Sequence, residues 1–137
     1  MPTIPDFTVH QPTLSDSVYK QILIVDDDPH GASLLKEGLA SFADCQIRIA
    51  NNSQQALQNL EAAKFDLLIT DLQMPKMNGL MLVRQSRLIQ PLLPIMMITG
   101  YSELISTTDA QTLAINYILD KPVKLATIRA VVRELLR

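Results

Sequence analysis

The sequence predicts an α/β fold in which one parallel five-stranded sheet is covered on both faces by five helices, a doubly wound (βα)5 arrangement. Three observations predict it. From Gln21 onward, short apolar runs alternate five times with segments of helical periodicity. The runs "QILIVD", "FDLLIT" and "PIMMIT" are apolar almost throughout, as strands buried on both faces are. Polar and charged residues gather just after these runs, at the strand ends where open α/β sheets bind ligands.

The elements follow in order. Residues 1–20, "MPTIPDFTVHQPTLSDSVYK", hold three prolines and no sustained period, so a flexible leader is expected there and a single domain over 21–137. "QILIVD" (21–26) is the first strand. Asp28 before Pro29 reads as the cap and first turn of a helix whose apolar face is Leu35, Leu39 and Phe42. "QIRIA" (46–50) is strand-like, and the helix at 53–64 turns Ala56, Leu57 and Leu60 inward. "FDLLIT" (65–70) leads to a helix at 78–90, and "PIMMIT" (94–99) to a weaker helix at 102–114. "NYILD" (116–120) is the last strand. In the closing helix, Ile128, Val131, Val132 and Leu135 form an apolar stripe, with Arg129, Arg133 and Arg137 expected on exposed faces.

Composition narrows the function classes. The 137 residues suffice for one domain, and 47% apolar with 19% charged residues suits a folded globule. A net charge of −2 and no basic run argue against nucleic-acid binding. Apolar stretches are too short for a membrane span and the N-terminus lacks a signal-peptide core, so the expected location is cytoplasmic. Cys45 is the single cysteine, which excludes a disulfide within the chain and a Cys-based zinc site.

The strand ends carry the chemistry. The first strand ends in Asp26-Asp27-Asp28, the third in Asp71, the fourth in Thr99 and the fifth in Asp120-Lys121-Pro122. Asp28 is equally well explained as a helix cap. Asp26, Asp27 and Asp71 converging on one cleft repel one another unless a cation is present. Oxygen donors with no imidazole nearby (His10 lies in the leader, His30 just after Pro29) point to Mg2+ rather than zinc. Lys121 adds a charge suited to an anion and Thr99 a hydroxyl. The set suits phosphoryl transfer to a carboxylate, with Asp71 as nucleophile.

Four motifs, "ILIVDDDP" (22–29), "DLQMPKMNG" (71–79), "ITG" (98–100) and "DKP" (120–122), resemble the receiver domain of two-component response regulators, whose fold is flavodoxin-like. The resemblance covers 21–137. It implies Asp71 as phosphoacceptor, Asp27 as direct Mg2+ ligand with Asp26 its partner, and Gln73 offering a backbone carbonyl to the metal. It implies Thr99 as the hydroxyl that moves towards the phosphoryl group, Lys121 as its lysine contact and a cis Lys121-Pro122 peptide. The implied donor is a sensor histidine kinase or histidine phosphotransfer protein. The module itself catalyses the transfer and its slow hydrolysis. In the family the face of helix four, strand five and helix five often mediates dimers or output contacts, so a homodimer through it is carried over as an expectation.

The pattern departs at three places. The aromatic residue usual three positions before the lysine is replaced by Ile118, with Tyr117 one residue earlier; either the aromatic coupling is absent or a one-residue shift brings Tyr117 into the role. Ala114-Ile115 stands where a Gly-Ala pair is usual, and Asn116 is the residue that could end the helix instead. Tyr101, two residues after Thr99, is bulky enough to crowd water approaching a phosphoryl group. Two other functions compete. A phosphorylation-independent pseudo-receiver would be favoured by a missing acid, threonine or lysine, and all are present. A haloacid-dehalogenase-like phosphohydrolase wants an acid two residues after its nucleophile, where Gln73 stands. The chain stops where the fifth helix should end, as expected of a stand-alone receiver or a piece of a longer regulator.

Overall fold

Five parallel strands lie in the order β2-β1-β3-β4-β5: β1 (Lys20–Val25), β2 (Cys45–Ala50), β3 (Leu67–Thr70), β4 (Ile95–Thr99) and β5 (Tyr117–Asp120). The computed structural model describes residues 19–42 and 44–137. The expected leader therefore lies outside the described residues except for Tyr19 and Lys20, and Lys20 already opens β1. The helices are α1 (Pro29–Leu39), α2 (Ser53–Ala62), α3 (Gly79–Ile89), α4 (Thr107–Thr112) and α5 (Leu125–Leu135).

The core has two layers, one on each face of the sheet. Leu23, Val25, Leu68, Ile95 and Met97 pack against Ala56 and Leu60 of α2 and Leu82 and Val83 of α3. Ile22, Ile24, Ile69, Met96 and Ile98 pack against Ala32 and Leu39 of α1 and Ile128, Val131 and Val132 of α5. β1, β3 and β4 are buried on both sides, which is why their sequences lack alternation. β2 is an edge strand and does alternate, with Gln46 and Arg48 exposed between the half-buried Ile47 and Ile49. The chain leaves β1 for β2 on one side and returns to β3 on the other, so a crevice opens between the carboxyl ends of β1 and β3.

Three sequence expectations need correction. The helix expected over 102–114 is a 3-10 turn at Ser102–Leu104 followed by the short α4. Ser106 interrupts it: its backbone is extended (φ −73°, ψ 151°) and its side chain accepts the Asp109 N–H. A serine that bonds the backbone locally competes with helix continuation and favours a cap. The left-handed residue ending α4 is Ala114 (φ 54°), not Asn116. Ile115 N–H bonds Ala110 O at 3.1 Å and Ala114 N–H bonds Gln111 O at 3.1 Å, a Schellman closure with alanine where glycine is preferred. Asn116 instead accepts the Ile95 N–H through its side chain at 2.8 Å. Arg129, expected to be exposed, is half-buried and its guanidinium donates to the Ser41 hydroxyl. Arg133 is exposed as expected and lies over the Phe42 ring, 5.4 Å from its centroid.

Candidate functional site

The carboxyl ends of β1, β3 and β5 bring Asp26, Asp71 and Lys121 to one cleft of about 520 Å3, lined also by Gly31, Thr70 and Pro122. Lys121 Nζ stands 2.9 Å from Asp71 Oδ2. The other carboxylate oxygen, Oδ1, accepts the Leu72 N–H at 2.7 Å and more distantly the Gln73 N–H at 3.4 Å. The Asp71 carboxylate is thus aimed by its own backbone on one side and by a lysine on the other. The pair adds little to stability, because the Lys121 side chain is 45% exposed. Its value is the field it creates in the cleft.

Asp26 is half-buried and Asp27 exposed. Burial pushes the Asp26 carboxyl above its usual range; the Asp28 N–H and Lys121 pull the other way, while the charges of Asp71 and Asp27 push it further up. Burial disfavours the Lys121 ammonium, but its hydrogen bond to Asp71 and the charges of Asp71, Asp26 and Asp28 hold its pKa above the ordinary value. Asp28 takes the capping role, accepting the His30 N–H at 3.1 Å while its own N–H bonds Asp26 Oδ1 at 3.0 Å. Gly31 lets the first turn of α1 come this near: an added Cβ would lie 3.2 Å from the Oδ2 atoms of both Asp26 and Asp28.

Thr99 comes to the same sheet edge but does not line the cleft. It is fully buried, and its Oγ1 accepts the Tyr101 N–H at 3.0 Å. Ile118 packs on the face that carries Met97, whereas Tyr117 packs on the opposite face and donates its hydroxyl to Glu134 at 2.8 Å. The one-residue shift that would bring Tyr117 beside Thr99 does not occur. Tyr101 is 51% exposed and lies outside the cleft lining, so in this conformation its ring does not crowd Asp71. The Lys121-Pro122 peptide is cis, as the motif implies.

The segment after Asp71 is folded tightly. Gln73 is exposed and Met74 buried. Met77 N–H bonds Pro75 O at 2.8 Å around Lys76, whose φ of 69° is left-handed. Asn78 then caps α3 by accepting the Met81 N–H at 3.0 Å. Gly79 is obligatory, since an added Cβ would lie 2.2 Å from Asp71 O and 2.9 Å from Leu72 Cα. Sequence reasoning missed Ser53, which donates to Met77 O at 2.8 Å from the start of α2.

The metal-ligand atoms that Asp26 and Asp71 bring to the cleft are carboxylate oxygens, with no imidazole or thiolate among its lining residues. Among the described residues, no three His, Cys, Asp or Glu side chains stand close enough to enclose a metal by themselves. The two carboxylates that line the cleft, Asp26 and Asp71, fit Mg2+, which keeps several waters and takes one or two carboxylates with substrate oxygens. A larger cavity, about 760 Å3, lies at the opposite end of the strands beside Lys20, Phe65 and Pro94; its other charged residues, Glu61, Lys64, Asp66 and Arg137, are of mixed sign.

The sequence model of the response regulator receiver domain matches residues 22–133. The transcriptional regulatory protein ZraR of Escherichia coli (strain K12) is 28% identical over 116 residues, covering 84% of this chain and 26% of its own. The response regulator receiver protein CpdR of Brucella abortus (strain 2308) is 33% identical over 103 residues, covering 75% of this chain and 85% of its own. Against relatives such as ZraR, the chain spans about a quarter of their length. Among solved structures, the response regulator TrrA of Thermotoga maritima, in complex with Mg2+-BeF, superposes with a TM-score of 0.77 at 31% identity, covering 85% of this chain and 99% of that one. A receiver domain protein from Methanospirillum hungatei JF-1 gives 0.77 at 27% identity, covering 86% and 94%.

Proposed function

Because the chain belongs to the response regulator receiver domains of two-component systems, a family of signalling modules rather than conventional enzymes, we propose that it is a phosphoacceptor switch phosphorylated on Asp71. The observation that carries this reading is the 2.9 Å contact of Lys121 Nζ with Asp71 Oδ2, in a cleft shared with Asp26. A carboxylate oxygen of Asp71 attacks phosphorus of a phosphohistidine; the O–P bond forms as the P–N bond breaks, and the imidazole leaves with the electron pair. Lys121 holds the nucleophile before attack and then faces an oxygen of the transferred group, where its charge stabilises the transition state. Water later attacks the same phosphorus, the P–O bond to Asp71 breaks, and inorganic phosphate leaves as the carboxylate is regenerated. Asp26, Asp27, Asp71 and the Gln73 carbonyl would hold Mg2+, which when bound neutralises phosphoryl oxygens.

Thr99 is the hydroxyl that reports the charge at Asp71, by exchanging its Tyr101 partner for a phosphoryl oxygen. The donor is a sensor histidine kinase or a histidine phosphotransfer protein, and the face of α4, β5 and α5 is the surface for a homodimer or an output partner. The domain spans 20–137, since Lys20 opens β1, and the location is cytoplasmic. Among the described residues no helix is long and apolar enough to cross a membrane. The test is incubation with acetyl phosphate and Mg2+, read by intact mass: addition of one phosphoryl group that Asp71→Ala abolishes supports the reading. No addition from any donor would favour a phosphorylation-independent binding module.

A further inference from the structure

The Ser53 hydroxyl is buried, with 3% of the residue exposed, and donates across 24 residues of sequence to the Met77 carbonyl at 2.8 Å. Its own helix does not need it. Asn52 caps α2 by accepting the Gln55 N–H at 2.8 Å, and Gln55 returns the favour by accepting the Asn51 N–H at 2.9 Å. Ser53 is therefore free to act on the segment after β3. That segment is closed across its two ends by Gly79 N–H to Leu72 O at 2.8 Å, and its start is held by Leu72 N–H to Asp71 Oδ1. Between these ties, the stretch from Gln73 to Met77 passes through the left-handed Lys76, a conformation an L-residue keeps only when its surroundings enforce it. From outside the segment, Met74 and Met77 pack into the core, and Ser53 adds a side-chain hydrogen bond to its backbone.

We propose that Ser53 is a positioning residue of the acidic site: its hydroxyl sets the 73–77 segment, and with it the Gln73 backbone, for a divalent cation bound at Asp26 and Asp71. The inference rests on the receiver reading above. Outer hydrogen bonds of this kind orient metal-binding groups and commonly govern affinity by tenfold or more. Loss of the hydroxyl leaves the Met77 carbonyl without this partner and releases the segment, while the carboxylates themselves stay in place.

The protein supplies its own control. Ser86 is equally buried, and its hydroxyl bonds Leu82 O at 2.7 Å within α3, away from the site. Mg2+ affinity is measured by amide NMR titration of the full chain, for wild type, Ser53→Ala and Ser86→Ala, together with the thermal midpoint of each. The expected result is about tenfold weaker Mg2+ binding in Ser53→Ala and unchanged binding in Ser86→Ala, although both lose stability. Phosphorylation by acetyl phosphate should be slowed in Ser53→Ala at limiting Mg2+ and recover at saturating Mg2+. Should Ser53→Ala fail to fold, Ser53→Cys keeps the volume with a weak donor and takes its place. Wild-type affinity in the Ser53 variant, or equal weakening in both, overturns the proposal. A wild-type protein that shows no Mg2+-dependent shifts overturns the receiver reading, and this proposal with it.

Discussion

Tyr101 N–H donates to Thr99 Oγ1 at 3.0 Å, so the hydroxyl at the end of β4 is turned onto its own chain rather than into the cleft beside Asp71. The same bond holds the entrance to the 3-10 turn at Ser102–Leu104. A hydroxyl that swings to a phosphoryl oxygen at Asp71 leaves the Tyr101 amide without this acceptor, and a lost hydrogen bond of this type is worth about 1 kcal/mol. Hydrogen exchange at the Tyr101 amide should accelerate when Mg2+ and beryllofluoride are added, and Thr99→Ala should remove the difference between the two states. Unchanged exchange at Tyr101 with beryllofluoride bound would show that Thr99 stays where it is.

Ala114 holds a left-handed φ of 54° at the end of α4, where glycine carries no Cβ penalty. Ala114→Gly should stabilise the fold by about 0.5–1 kcal/mol, the relief of that penalty less the added freedom of the unfolded chain. Urea unfolding checks it; a lower midpoint in the variant would mean that the strain is absent in solution.

Gly79→Ala should do the reverse. The new methyl would lie 2.2 Å from the carbonyl oxygen of Asp71, so the backbone at the phosphoacceptor itself must shift. The expected loss is about 3 kcal/mol, the upper part of the overpacking range, together with slower phosphorylation in the folded fraction. Wild-type stability would contradict the close approach.

Arg87 donates to four backbone carbonyls: Leu113 at 2.8 Å, Ala114 at 2.8 Å, Pro91 at 3.0 Å and Leu93 at 2.6 Å. It clasps the end of α4 to α3 and to the turn before β4. Burial lowers its pKa, but a guanidinium keeps its charge at neutral pH. Arg87→Met should cost about 3 kcal/mol in urea unfolding, and Arg87→Lys should recover little, because an ammonium lacks the planar fork. Full recovery by lysine would mean that charge alone matters.

These residues also show why part of the fold could be read from the sequence and part could not. β1, β3 and β4 are legible because burial on both faces leaves an unbroken apolar run. Asp26, Asp71 and Lys121 are legible because a parallel sheet delivers the ends of its strands to one edge. Ser53 and Arg87 escape because their partners are backbone carbonyls, which carry no residue identity and lie remote in the chain. Asn116 was the reasonable left-handed candidate by residue type. The helix closure falls on Ala114 instead, because Leu113 is the residue buried at the end of α4. Tyr117 could be placed relative to Thr99 only once the register set Ile118 beside Met97.

The central claim is that phosphate goes to Asp71. The direct measurement treats the protein with acetyl phosphate and Mg2+, reduces any acyl phosphate with borohydride and locates the resulting homoserine by tandem mass spectrometry. The account predicts homoserine at position 71, lost when EDTA removes the metal and lost in Asp71→Ala. Homoserine at position 26 or 27 instead, or none at any position while phosphodonor and Mg2+ are in excess, would contradict it.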